Sequence, residues 1–230
     1  MKKLISHSVL VFPLLLAACT ETPRARDRFE TRELTPEEVF ENGYDEPAPR
    51  VPPSGALSET EHFAMGGIVN SLAAVANTLV LRDNAQAPPA LIGHALPSGV
   101  KPFGVTGGKE LKKFYEKKLE SVLGADLVVV HYMISYEYGA SYKNKGKYLT
   151  NVFFTPKKVK VASLWSLKAT TNSKEAINVG TDAKPVAQLG FSVQFAADGA
   201  IGSGERNATD TFTATADKDE LEAEIEDLDD

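Results

Sequence analysis

The sequence predicts an α+β fold, with two N-terminal helices packed on a C-terminal antiparallel β-sheet of about five strands. Three observations lead there. Apolar residues recur at helical spacing in two stretches before Leu127. From Leu127 onward the period changes to two. Gly146, Pro156 and Asp198-Gly199 then divide the second half into short runs with short connections, as in antiparallel rather than parallel sheets. Helices first and strands later belong to one α+β domain. The alternative is a small β-sandwich with a helical prefix.

The chain opens on Lys2 and Lys3, a short positive segment. The run Leu4 to Leu16 follows, apolar but for Ser6, His7, Ser8 and Pro13, and then the small residues Ala17 and Ala18 precede Cys19. Charge, apolar run and small residues in that order describe an export signal, and the run is shorter than the ~20 residues a spanning helix needs. Leu16-Ala17-Ala18-Cys19 resembles the lipobox of bacterial lipoprotein signal peptides. The resemblance covers residues 1–19 only. It implies cleavage before Cys19, a diacylglycerol on its sulfur and an acyl chain such as palmitate on the new amine. Cys19 is the sole cysteine of the chain. The alternative is an ordinary cleaved signal followed by a free thiol. Thr20 stands where related lipoproteins held in the inner membrane often carry Asp, which by resemblance favours the outer membrane, facing the periplasm.

The formal charge of −6 is concentrated at the C-terminus, where Asp217 to Asp230 holds nine acidic residues and one lysine. The body is close to neutral, so composition offers no footprint for nucleic acid. A lone cysteine permits no internal disulfide, and stability must come from the core.

Residues 19–57 read as the lipidated cysteine and a proline-rich tether, with Pro23, Pro36, Pro47, Pro49, Pro52 and Pro53. Inside it, Thr35-Pro36-Glu37-Glu38 carries a capping box with proline at the first helical position. Val39 and Phe40 are placed to dock that short helix. The globular domain is expected over 58–216. Ser58 to Leu81 reads as its first helix, with Met65, Ile68, Val69, Leu72 and Leu79 on one arc and a small, uncharged face around Gly66 and Gly67 on the other. Asn84 to Gly108, rich in proline and glycine, reads as a long loop. Lys109 to Leu123 reads as the second helix, with Leu111, Phe114, Tyr115, Leu119 and Val122 buried and Lys109, Lys112, Lys113 and Lys117 in solvent.

In the second half, Val128, Val130, Tyr132, Ile134, Tyr136 and Tyr138 share one strand face. Tyr142 to Lys147 reads as a hairpin turn, and Tyr148 to Phe154 as the returning strand, ended by Pro156. Val159 to Thr171, Ala187 to Phe195 and Thr211 to Ala216 complete the sheet. The acidic tail, 217–230, is either disordered or a short helix through Leu221, Ile225 and Leu228.

Chemistry is sparse. His62, His94 and His131 are far apart and match no metal-ligand spacing, and no metal or cofactor is expected. No G-x-S-x-G elbow occurs. Ser98-Gly99-Val100-Lys101 reads S-x-x-K, but Pro97, Gly99 and Pro102 oppose the helical turn that motif needs. His131 and Glu137 become an acid–base pair only if both face one cavity. The candidate binding surface is the aromatic and cationic hairpin tip, Tyr136, Tyr138, Tyr142, Lys143, Lys145 and Lys147, because tyrosines favour interfaces. The expected function is a membrane-anchored envelope lipoprotein that binds or scaffolds a protein partner. An envelope hydrolase with a site assembled from distant residues, and a carrier of an apolar ligand, are the alternatives.

Overall fold

The protein is described by a computed structural model over residues 28–44, 68–70, 76–199 and 204–226. The signal segment, Cys19 and Gly66-Gly67 lie outside the described residues. In chain order the elements are β1 (Arg28–Glu33), α1 (Pro36–Glu41), β2 (Ile68–Asn70), β3 (Asn77–Leu81), β4 (Ala90–Pro97), a single 3-10 turn at Pro102–Gly104, β5 (Lys109–Glu120), β6 (Asp126–Tyr142), β7 (Lys145–Val161), β8 (Ser166–Ser173), β9 (Ile177–Asn178), β10 (Ala187–Asp198), β11 (Glu205–Thr215) and β12 (Leu221–Glu226). One sheet runs β1-β5-β6-β7-β4-β2 and the other β12-β11-β10-β8-β3, with β9 beside β10. Both are antiparallel and lie face to face.

This overturns the α+β expectation. The second helix is β5. Its apolar residues Leu111, Tyr115 and Leu119 fit a period of four, but they fit a period of two equally well. The helical reading added Phe114 and Val122 to that stripe and put Lys109, Lys112, Lys113 and Lys117 in solvent, whereas in the strand Phe114 packs on an outer cluster, and Val122, in the turn beyond it, is exposed. Lys117 is in fact fully buried, and its partner Asp210 lies 93 residues away. Of the first predicted helix, the described parts are strands β2 and β3. Leu79 and Leu81 alternate with the exposed Thr78 and Val80, a strand pattern in a β-branched run. The predicted loop 84–108 contains β4, whose apolar stretch Ala90 to Leu96 is masked in sequence by the prolines that flank it.

Part of the segment read as a tether is a strand. Arg28–Glu33 pairs with β5, from Arg28 opposite Glu120 to Glu33 opposite Tyr115. The short helix forms as read, with Thr35 and Glu38 in a reciprocal capping box. Val39 docks on a small outer cluster of Leu34, Tyr44, Phe114 and Met133, while Phe40 is 80% exposed. The acidic tail is neither helix nor disordered over its described part: β12 pairs with β11, burying Leu221.

The β6 face is as read. Val128, Val130, Tyr132, Ile134 and Tyr136 are all buried in the main core, with Tyr138 packed at its edge. Pro156 does not end the strand. It sits within β7 opposite Tyr132, where a register shift leaves Lys157 extra, and bulges are where a sheet tolerates a residue without an N–H. The chain turns instead at Ala162–Trp165, between β7 and β8. The inner faces meet in an aromatic layer. Tyr132 lies 5.5 Å from Phe195 and 5.3 Å from Phe154, and Tyr115 lies 5.3 Å from Phe212, centroid to centroid.

Candidate functional site

Three places gather polar chemistry. The first is the interior. Asp210 on β11 is fully buried and accepts from Tyr132 Oη at 2.7 Å, Thr31 Oγ1 at 3.0 Å and Lys117 Nζ at 3.1 Å. Lys117 Nζ also stands 5.5 Å from the centroid of Phe29. Burial, with Asp210 alongside, pushes the Tyr132 phenol well above its ordinary range. The cluster joins β1, β5 and β6 to β11 across the sandwich, and aromatic side chains fill the space around it. It is a structural ion pair. Nothing in the sequence pairs Lys117 with Asp210; the only sign was Asp210 at an inward position of an alternating run.

The second lies on the outer face of the first sheet, where register sets four side chains in a row across four strands: Arg32, Glu116, His131 and Lys158. Arg32 Nε donates to Glu116 at 2.9 Å, and its two terminal nitrogens donate to Glu38 of α1 at 2.8 Å each. Arg32 thereby holds the Glu38 carboxyl down to about 2. Burial lowers the His131 imidazole pKa, against the opposing pull of Glu116. Burial also pushes the Tyr44 phenol up to about 12. Tyr44 therefore donates to His131 Nδ1 at 2.8 Å, and neutral His131 donates from Nε2 to Glu116 at 2.9 Å. That contact is a hydrogen bond from a neutral ring rather than an ion pair. The row floors an open groove of about 280 Å³ beside α1, which Lys118 and Lys160 also line. Both nitrogens of His131 are engaged, which suits a positioned strut better than a general base.

Glu137 is elsewhere. It accepts from Thr150 Oγ1 at 2.8 Å. It lies on the side of the buried His94, whose Nδ1 accepts from the Asn151 amide at 2.9 Å. Burial lowers His94 to about 4. The fold thus brings Glu137 towards His94 and leaves both apart from His131. No group of three or more His, Cys, Asp or Glu side chains gathers as metal ligands among the described residues.

The third place is the β6–β7 hairpin tip. Lys143 and Asn144 take φ of +50° and +60°, the two-residue turn whose twist matches its strands. Gly146 follows at φ +69°, and a Cβ there would meet Tyr148 Oη at 2.5 Å. Lys143, Lys145 and Lys147 are exposed, and Lys143 Nζ lies 5.0 Å over the Tyr142 ring. The Lys147 amide donates to Pro185 O at 2.8 Å, which holds exposed Lys184 alongside. The tyrosines divide. Tyr142 and Tyr138 are half-buried, whereas Tyr136 is 1% exposed and donates to Glu220 O at 3.0 Å. Tyr136 is a core residue and offers no surface. Cys19 lies outside the described residues.

No protein-family model, curated protein or solved structure matches the chain.

Proposed function

We propose that the protein is a lipid-anchored lipoprotein of the bacterial cell envelope, and that its domain binds an acidic protein partner through the lysine-bearing hairpin tip. The observation that carries this is the tip itself. Exposed Lys143 on the turn and exposed Lys145 and Lys147 at the start of β7 stand together with Lys184 held beside them, and this end of the sheet is opposite the one where the chain arrives from Cys19. β6 and β7 have 17 residues each, so at ~3.3 Å per residue the tip stands about 50 Å from that entry point. A presented cationic end on an anchored domain is suited to a partner across the periplasm.

The alternatives have less support. A hydrolase would use His131, Glu137 or His94 in a shared cavity, and these are split between an outer groove and a buried strand contact. An apolar carrier would open its interior, which the aromatic layer fills.

The test is mild cross-linking in the native envelope, recovery of the lipidated protein and mass spectrometry of what comes with it. One dominant partner is expected, reduced tenfold or more in a Lys143→Glu/Lys145→Glu/Lys147→Glu variant and retained in a Lys158→Glu variant. No reproducible partner, or one indifferent to the tip, would sink this reading.

A further inference from the structure

The end of the molecule opposite the tip has a different surface. The β5–β6 turn presents Val122 at 57% and Leu123 at 92% exposure, and the neighbouring β7–β8 turn presents Leu164 at 80%. These turns leave the same end of adjacent strands: Val128 pairs with both Leu119 and Val161, and the Ala162 amide donates to Leu127 O at 2.8 Å. Leu164 holds φ +71°, a conformation that glycine or asparagine adopts at far lower cost. A turn selected for its backbone alone would not use leucine. Next to it is Trp165, half-buried and the only tryptophan of the chain. Its ring type favours the membrane–water boundary.

The same end receives the chain. Arg28 pairs with Glu120 one turn away from Leu123. Only residues 20–27 separate it from Cys19, roughly 30 Å at full extension.

We propose that this end is seated on the lipid bilayer, with Val122, Leu123 and Leu164 in the interfacial layer and Trp165 at its margin. The proposal rests on lipidation of Cys19. The anchor makes docking an intramolecular event, so three apolar side chains suffice where free protein would not bind. The rim is mixed in charge, with Lys118 paired to Glu120 and Asp126 at 2.8 and 2.7 Å. The contact is therefore apolar, and added salt should leave it unchanged.

Trp165 supplies the readout. The full chain, purified from a host that processes lipoproteins, is weighed at the Cys19 peptide. It is then placed in phosphatidylethanolamine–phosphatidylglycerol vesicles carrying lipids brominated near the headgroup or deep in the tail. Expected is at least twofold quenching of Trp165 by the shallow bromine, weaker quenching by the deep one, and no salt dependence. Leu123→Ser/Leu164→Asn, in which asparagine suits the backbone at 164, should abolish the quenching. Phe103→Ser, which removes an exposed ring near the tip, should not. A lipidated protein without quenching, or with quenching that survives the double variant, overturns the docking and leaves the anchor standing. An unmodified Cys19 overturns both.

Discussion

Lys117 and Asp210 show what a single misplaced charge does to a sequence reading and to a fold. With both groups fully buried, removing one partner leaves the other uncompensated, at a cost of about 3–5 kcal/mol. Asp210→Ala is expected to lose that much in urea unfolding. Lys117→Met combined with Asp210→Leu should recover only part, because the hydroxyls of Tyr132 and Thr31 lose their acceptor. His94 gives a second prediction. Its folded value of about 4 lies below the ordinary imidazole value of 6.5, so between those values the unfolded chain binds the extra proton. Stability is complete above about pH 7, falls as pH drops through 6.5 towards 4, and loses about 3 kcal/mol from this group. Unfolding midpoints measured from pH 7.5 to 4 should show that slope, flattened in His94→Gln. Neither effect was legible in sequence. Lys117 counted as a solvated lysine because its partner is remote, and His94 was hidden in a run read as loop.

Elements were legible where the pattern was unambiguous. The capping box at Thr35 produced its helix, and β6 and β10 alternate cleanly enough to give their buried faces. Elements were lost where two periods fit one apolar set, as at Leu111, Tyr115 and Leu119, or where composition outweighed pattern. The tail is the plainest case. Its acids suggested solvent, yet Glu222 and Glu224 simply face outward while Leu221 packs inward. The hairpin tip was found in sequence, and the alternation of β6 already put Tyr136 on the inward face; assigning it to the binding surface as well set residue type above that pattern. A chain ending at Ala216 is therefore predicted to lose more than a solubilising tail. It exposes the edge of β11 and removes the acceptor of Tyr136. The expected loss is about 2 kcal/mol, or roughly 5 °C in Tm. Concentration-dependent association through the bare edge should accompany it, visible by light scattering.

At the scale of the molecule, the long β6–β7 hairpin gives the sandwich two unlike ends, one cationic and one apolar. If the apolar end rests on lipid, the tip stands clear of it. Energy transfer from a fluorophore on Lys145→Cys to a headgroup acceptor should report about 50 Å in lipidated protein. A distance under half of that would mean that the domain lies flat. The two-sheet architecture stood in sequence only as the alternative, a small β-sandwich with a helical prefix, because choosing it depends on which late strands cover which early ones.

The order of those strands along the chain has a consequence for biogenesis. The first sheet is complete once Val161 has emerged, whereas all of the second except β3 lies between Ser166 and Glu226. If the polypeptide is exported as proposed, Tyr115, Tyr132 and Phe154 emerge with no cover, and Lys117 waits for Asp210, 93 residues later. Closure of such non-local pairings is slow. In that case the protein should pass through a sticky, half-built stage on the far side of the membrane, and its yield there should depend on holding chaperones more than on its final stability.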